Sequence, residues 1–95
     1  MSESWQQACD AWRIYSEEMA ALSRHLDPAT WAALMAELRG CKGKIVVTGV
    51  GTSGIAARKI AHMLACVERP AIYLNATDAA HGDLGFVGPD DLVIM

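Results

Sequence analysis

Two stretches carry the residues best suited to chemistry, Thr48-Gly49-Val50-Gly51-Thr52-Ser53-Gly54 and Ala80-His81-Gly82-Asp83. The first follows the apolar run Ile45-Val46-Val47 and opens a helix-like run from Ser53 to Val67. A glycine-rich turn between a strand and a helix gathers backbone N–H groups around one point. The helix N-terminus adds about half a positive charge there. That combination suits phosphate or another compact anion. Gly49 and Gly51 allow positive φ and close approach of a ligand to the backbone. Gly54 lets the helix pack closely on the strand. Ser53 can cap the helix or donate its hydroxyl to a phosphate oxygen. Thr48 and Thr52 add further hydroxyls, and no acidic residue interrupts the loop. The plainer alternative is a tight strand-to-helix turn with a serine cap and no ligand.

The spacing Gly49-x-Gly51-x-x-Gly54 also fits a dinucleotide fingerprint. That fingerprint expects an acidic residue at the end of the second strand, to hold a ribose hydroxyl. This chain has Asn75 there. A pyrophosphate site also asks for no hydroxyl at Ser53. The loop therefore reads as a sugar-phosphate site, and no cofactor is expected. His81 follows a strand end, where ligands collect in open α/β sheets. A neutral imidazole suits acid–base work or the opening of a sugar ring. Asp83 is near enough in sequence to orient it. The alternative for His81 is a structural histidine bonding a loop carbonyl. His25 and His62 are assigned no chemistry, and Arg58 and Lys59 read as a solvated helix face.

The elements that must position these residues follow from the apolar pattern. Trp5, Ala8, Trp12, Tyr15, Met19, Leu22 and Leu26 alternate spacings of three and four. They predict a helix from about Ser4 to His25, with a seam that packs on the parent domain or on a second subunit. Asp27 as cap and Pro28 at the first position start a second helix, which Gly40 stops. Strands are expected at 44–48, at 71–74 and from Leu92 onward. In the helix from Ser53 to Val67, Ala56, Ile60, Met63, Leu64 and Val67 are expected inward. Ala57, Ala61 and Ala65 would allow close approach to the sheet. Residues 75–88 read as irregular or as one helical turn capped by Thr77 or Asp78, and Gly88-Pro89-Asp90-Asp91 as a turn. The chain thus divides into a helical segment over 1–43, for packing or oligomerisation, and an α/β segment over 44–95. A parallel sheet ending at Met95 leaves an apolar edge, so 44–95 is expected to be the N-terminal part of a larger α/β domain.

Composition narrows the classes. Ninety-five residues, 53% apolar and 20% charged, describe at most one folded domain. A net charge of −3 supplies no basic patch for nucleic acid. No apolar run approaches the length of a membrane span, about 18 residues. The N-terminal residues lack the features of a secretory signal. Cys9, Cys41 and Cys66 show neither zinc spacing nor a disulfide framework. Reduced thiols, no metal and a cytoplasmic location are the expectation.

The residues Gly49-Val50-Gly51-Thr52-Ser53-Gly54, Arg58-Lys59, Ala79-Ala80-His81-Gly82-Asp83-Leu84-Gly85 and Asp91-Leu92-Val93-Ile94 together resemble the sugar isomerase (SIS) domain family, over about Leu22 to Met95. The likeness is greatest to bacterial arabinose-5-phosphate isomerases. It implies a flavodoxin-like parallel sheet with helices on both faces and a homo-oligomer, dimer or tetramer. It implies a phosphorylated sugar as ligand and aldose–ketose isomerisation as activity. By resemblance, Gly51 to Gly54 would lie against the substrate and His81 would be an active-site histidine. The isomerase relatives carry a lysine where this chain has Thr52. Their phosphate-gripping serine loop and their candidate basic glutamates fall beyond Met95. The alternative function is a non-catalytic phosphosugar-binding or regulatory module.

Overall fold

A computed structural model describes every residue from Met1 to Met95. The chain forms two compact units, Met1–Leu34 and Met35–Met95.

In the first unit, helix α1 spans Glu3–His25. Its start is set by Ser2, whose hydroxyl accepts the Trp5 N–H at 3.2 Å, as an N-cap should. Arg13 bridges Asp10 and Glu17 on the outer face. The seam is real as a geometric stripe. Trp5 and Trp12 meet edge to face, with ring centroids 5.6 Å apart and planes at 81°. Their neighbours Tyr15, Met19, Leu22 and Leu26 are all exposed. Helix α2, Pro28–Gly40, has its first half in this unit and begins as its sequence requires. Asp27 accepts the Thr30 N–H at 2.9 Å and the Thr30 hydroxyl at 2.7 Å. The hydroxyl contact in particular holds the Asp27 carboxyl below its usual range.

The second unit is a three-stranded parallel sheet. β1 is Ile45–Gly49, β2 Ala71–Asn75 and β3 Leu92–Ile94, in the order β2-β1-β3. Rungs Ile45–Ala71–Leu92 and Val47–Tyr73–Ile94 lie on one face. Helix α3, Thr52–Cys66, covers that face with Ala57 and Ala61, and Leu64, Leu38 and Cys41 complete the core. Only central β1 is apolar and buried on every residue of a run; Ile45, Val46 and Val47 are each at most 1% exposed. Such runs mark a strand covered on both faces. Edge strand β2 is covered less evenly: Leu74 is buried, Ala71 and Tyr73 are half-buried, and Ile72 is exposed.

The α3 face meets the expectation at Ala57, Ala61 and Leu64 and differs from it elsewhere. Gly54, Ala57, Ala61 and Leu64 turn inward, while Ala56, Ile60, Met63, Ala65 and Val67 are exposed. The reason is distance. Small side chains at spacings of three and four let the helix axis approach the sheet, and larger ones on that face would hold it away. Residues after β2 form helix α4, Ala76–Ala80, and then a 3-10 turn over Asp83–Phe86. The cap of α4 is Asn75, not Thr77 or Asp78. Its Oδ1 accepts the N–H groups of both, at 2.9 and 3.1 Å.

At the N-terminal ends of the strands, Asp91 ties β1 to β3. Its carboxylate accepts the Lys44 N–H at 2.8 Å, the Gly88 N–H at 2.7 Å and the Lys44 ammonium at 2.5 Å. Lys44 also donates to the Phe86 carbonyl at 2.7 Å and lies over the Phe86 ring. No helix is long and apolar enough to cross a membrane.

Candidate functional site

The glycine loop joins the C-terminal end of β1 to α3. In a sheet ordered 2-1-3, connections diverge at the central strand, and ligands bind outside the carboxyl ends of the strands there. Each loop glycine has a distinct reason. Gly51 sits at φ 63°, ψ −129° and is the N-cap of α3. An L side chain rarely adopts that backbone. Gly49 does not need positive φ. A Cβ on it would lie 2.7 Å from the Ser53 carbonyl oxygen, so it is glycine because α3 starts against it. A Cβ on Gly54 would lie 2.8 Å from the Gly49 carbonyl oxygen.

Because Gly51 is the N-cap, no side chain caps α3. Ser53 is the second helical residue and does not cap, so its hydroxyl is not engaged by the helix start. The Gly54 and Ile55 N–H groups bond the Gly51 carbonyl, at 3.0 and 3.2 Å. Those of Thr52 and Ser53 have no such partner in the turn. Orphan donors with a positive helix end are what a bound anion requires. Thr52 and Ser53 are exposed. Thr48 contributes nothing to a ligand, since its hydroxyl donates to the Leu74 carbonyl at 2.6 Å and ties β1 to β2.

Beside the loop lies a small cavity of about 110 Å³. The Gly49–Gly51 turn forms one wall, and Tyr73 with Asn75–Thr77 forms the other. Sequence reasoning assigned no binding role to Tyr73, Asn75 or Arg58. The Arg58 guanidinium stacks over the Tyr73 ring, 5.2 Å from its centroid. An arginine one and a half turns into the helix after a glycine loop, facing an aromatic on the next strand, is the signal that could have found this pair.

His81 is the C-cap of α4 and is exposed. Its N–H bonds the Asp78 carbonyl at 3.1 Å. Gly82 at φ 132° then turns the chain into the 3-10 segment that Asp83 opens. No hydrogen bond links Asp83 to the imidazole, and the histidine does not line the cavity. The fold gathers Gly49, Gly51, Thr52, Ser53 and Gly54 where β1 runs into α3, and His81 is not among the residues that line the cavity beside them. A larger cavity of about 440 Å³ lies at the opposite ends of the strands, by Cys41, Asp90 and Asp91. It is away from the carboxyl edge, and Asp91 is fully engaged there. No group of His, Cys, Asp and Glu is arranged to hold a metal ion.

No family model matches the chain. Individual proteins do. Arabinose 5-phosphate isomerase KpsF of Escherichia coli O6:H1 is 36% identical over 83 residues, which cover 84% of this chain and 25% of that protein. Arabinose 5-phosphate isomerase KdsD of E. coli K12 is 50% identical over 54 residues, 57% of this chain and 16% of the relative. The chain thus spans about a quarter or less of these relatives. Among solved structures, a Listeria monocytogenes protein assigned as a sugar-phosphate isomerase superposes with a TM-score of 0.78 at 37% identity. An E. coli CFT073 protein in complex with arabinose 5-phosphate does so at 0.76 and 36%. Both superpositions cover 98% of this chain and 50% of the other.

Proposed function

The chain belongs to the sugar isomerase (SIS) family, of whose fold it carries one part, and from that premise we propose that it holds a phosphorylated sugar for aldose–ketose isomerisation, with arabinose 5-phosphate the first substrate to try. The observation that carries this reading is the uncapped start of α3. The phosphate sits on the Thr52 and Ser53 N–H groups and accepts the Ser53 hydroxyl, while Gly49, Gly51 and Gly54 keep the backbone within reach. Isomerisation moves a proton between the carbonyl carbon's neighbour and the carbonyl carbon through an enediolate, which needs a base and a donor to the oxygens. His81 serves as acid–base group or ring opener. No acidic or basic side chain lines the cavity beside the loop, so the base is a group other than those that line it.

Oligomerisation is part of the same reading. The aromatic seam of α1 is the surface we assign to a second copy, and the cytoplasm is the compartment we assign. A second reading is a phosphosugar-binding module without turnover. Thr52 favours it, since the resemblance to the isomerases implies a lysine at that position. The test is an isomerase assay on the full gene product with five-, six- and seven-carbon sugar phosphates, following label exchange at the carbon next to the carbonyl. Exchange that disappears in His81→Ala supports the enzyme. Binding without exchange supports the module.

A further inference from the structure

The connection from β2 to β3 leaves the sheet at Asn75, level with Gly49, and re-enters it at Leu92, level with Ile45. It therefore runs back along the full length of the strands, and His81 stands part-way along it. No residue between Asn75 and Asp91 is buried. Ala76, Ala79, Val87 and Gly88 are half-buried, and His81 to Phe86 are exposed without a break. A segment with so little buried apolar surface has low local stability, and packing does not hold it in place. Gly82, at φ 132°, and Gly85 have open space around them, so the middle of the segment is not wedged against a neighbour either.

Polar anchors at the two ends hold it instead. At the start, the Asn75 Oδ1 accepts the Thr77 and Asp78 N–H groups and fixes the first turn of α4. At the far end, the Lys44 ammonium donates to the Phe86 carbonyl at 2.7 Å and lies 5.2 Å from the centre of the Phe86 ring. Asp91 accepts from the same ammonium and from the Gly88 N–H. Lys44 is the residue before β1, so this anchor ties the segment to the central strand. The tie between β1 and β3 does not depend on the Lys44 side chain alone, because Asp91 also accepts the Lys44 backbone N–H. What only the ammonium supplies is the reach to Phe86, through a charge-assisted bond of the stronger kind.

We propose that Lys44 is a positioning residue for His81: it pins the Phe86 end of the connection, Asn75 pins the other end, and together they set the course of the segment that carries the histidine. The inference rests on the reading of His81 as the acid–base group. Lys44 lies at the end of β1 remote from the glycine loop, so it acts only through the segment.

Hydrogen–deuterium exchange on the full gene product reads the segment directly, with no ligand present. Lys44→Met keeps nearly the length of the side chain and removes the ammonium, whereas Lys44→Arg keeps the charge and the reach. In Lys44→Met the amides of 81–88 are expected to exchange about 10-fold faster or more, with those of α3 within about 2-fold of the parent. Lys44→Arg should restore the parent rates. Asn75→Ala, at an exposed position, should release the amides of 77–80 in the same way. Turnover is the second readout: Lys44→Met should lower kcat about 10-fold, leave KM within about 2-fold, and be rescued by Lys44→Arg. Exchange that rises equally in α3 and in the segment makes Lys44 a stabiliser of the whole fold and overturns the proposal. Unchanged exchange in the segment overturns it too, as does faster exchange with kcat unaltered. A parent that binds sugar phosphate without turnover removes the acid–base reading of His81 and the role of Lys44 in turnover, and faster segment exchange in Lys44→Met would still establish the anchor.

Discussion

Gly49 and Gly54 are packed backbone against backbone: a Cβ on Gly54 would lie 2.8 Å from the Gly49 carbonyl oxygen, and one on Gly49 would lie 3.0 Å from the Gly54 nitrogen. This contact sets how closely α3 can follow β1, and so where the first turn of the helix points its N–H groups. Gly54→Ala should cost about 1–3 kcal/mol of stability by overpacking, because its neighbour there is backbone that cannot give way. Gly51→Ala should cost a similar amount for a different reason. There is open space around it, but φ 63° with ψ −129° is strained for a side-chain residue. Urea melts of both variants test this. A fully stable Gly54→Ala would mean that α3 starts farther from the strand than described.

A second prediction concerns acid. The Lys44 ammonium, then the Gly88 and Lys44 N–H groups, hold the Asp91 carboxyl down to about 2, from an ordinary 3.8. A depressed carboxylate contributes its full stability above the ordinary value and loses it as pH falls through the folded value. The parent should therefore lose stability between about pH 4 and pH 2 through this group. Asp91→Asn should melt several degrees lower at pH 7 and show a shallower decline over that window. Parallel pH profiles for the two proteins would show that Asp91 does not carry the acid limb.

Much of this was legible in the sequence because the signals are local. Ile45-Val46-Val47 reads as a buried strand, and Asp27-Pro28 as a helix start. The glycine spacing placed the loop. What was hidden depends on geometry between elements. Ala57, Ala61 and Leu64 were placed correctly, whereas Ile60, Met63 and Val67 were set inward because they are more apolar, although the sheet selects for small residues. Tyr73 reads as core from β2 alone, and only the approach of α3 reveals that its hydroxyl meets Gly54. Asn75 served in sequence as a mark against dinucleotides. The fold makes it the cap of α4 and a wall of the cavity.

The exposed aromatic seam of α1 carries a third prediction. Trp12 is 58% exposed beside Trp5, and Tyr15 and Met19 continue the stripe. Large aromatic anchors dominate interface energies. Trp12→Glu places a charge in the middle of the stripe and should shift the protein to monomer in sedimentation velocity, without loss of helix by circular dichroism. An unchanged sedimentation coefficient would remove α1 as the oligomer surface.

The last prediction separates holding the anion from acting in turnover. Ser53 lies in the first turn of α3 with an unengaged hydroxyl, while His81 ends α4 with an exposed ring. A hydrogen bond to a charged group contributes about 1.5–3 kcal/mol, so Ser53→Ala should weaken sugar-phosphate binding by roughly 10- to 100-fold. His81→Ala should leave affinity within about 2-fold and lower turnover by about 10² to 10⁴. Affinity is read by calorimetry and turnover by label exchange on the full gene product. Equal losses of affinity in the two variants would mean that His81 grips the ligand, and the division between an anion-holding loop and a proton-moving histidine would have to be given up.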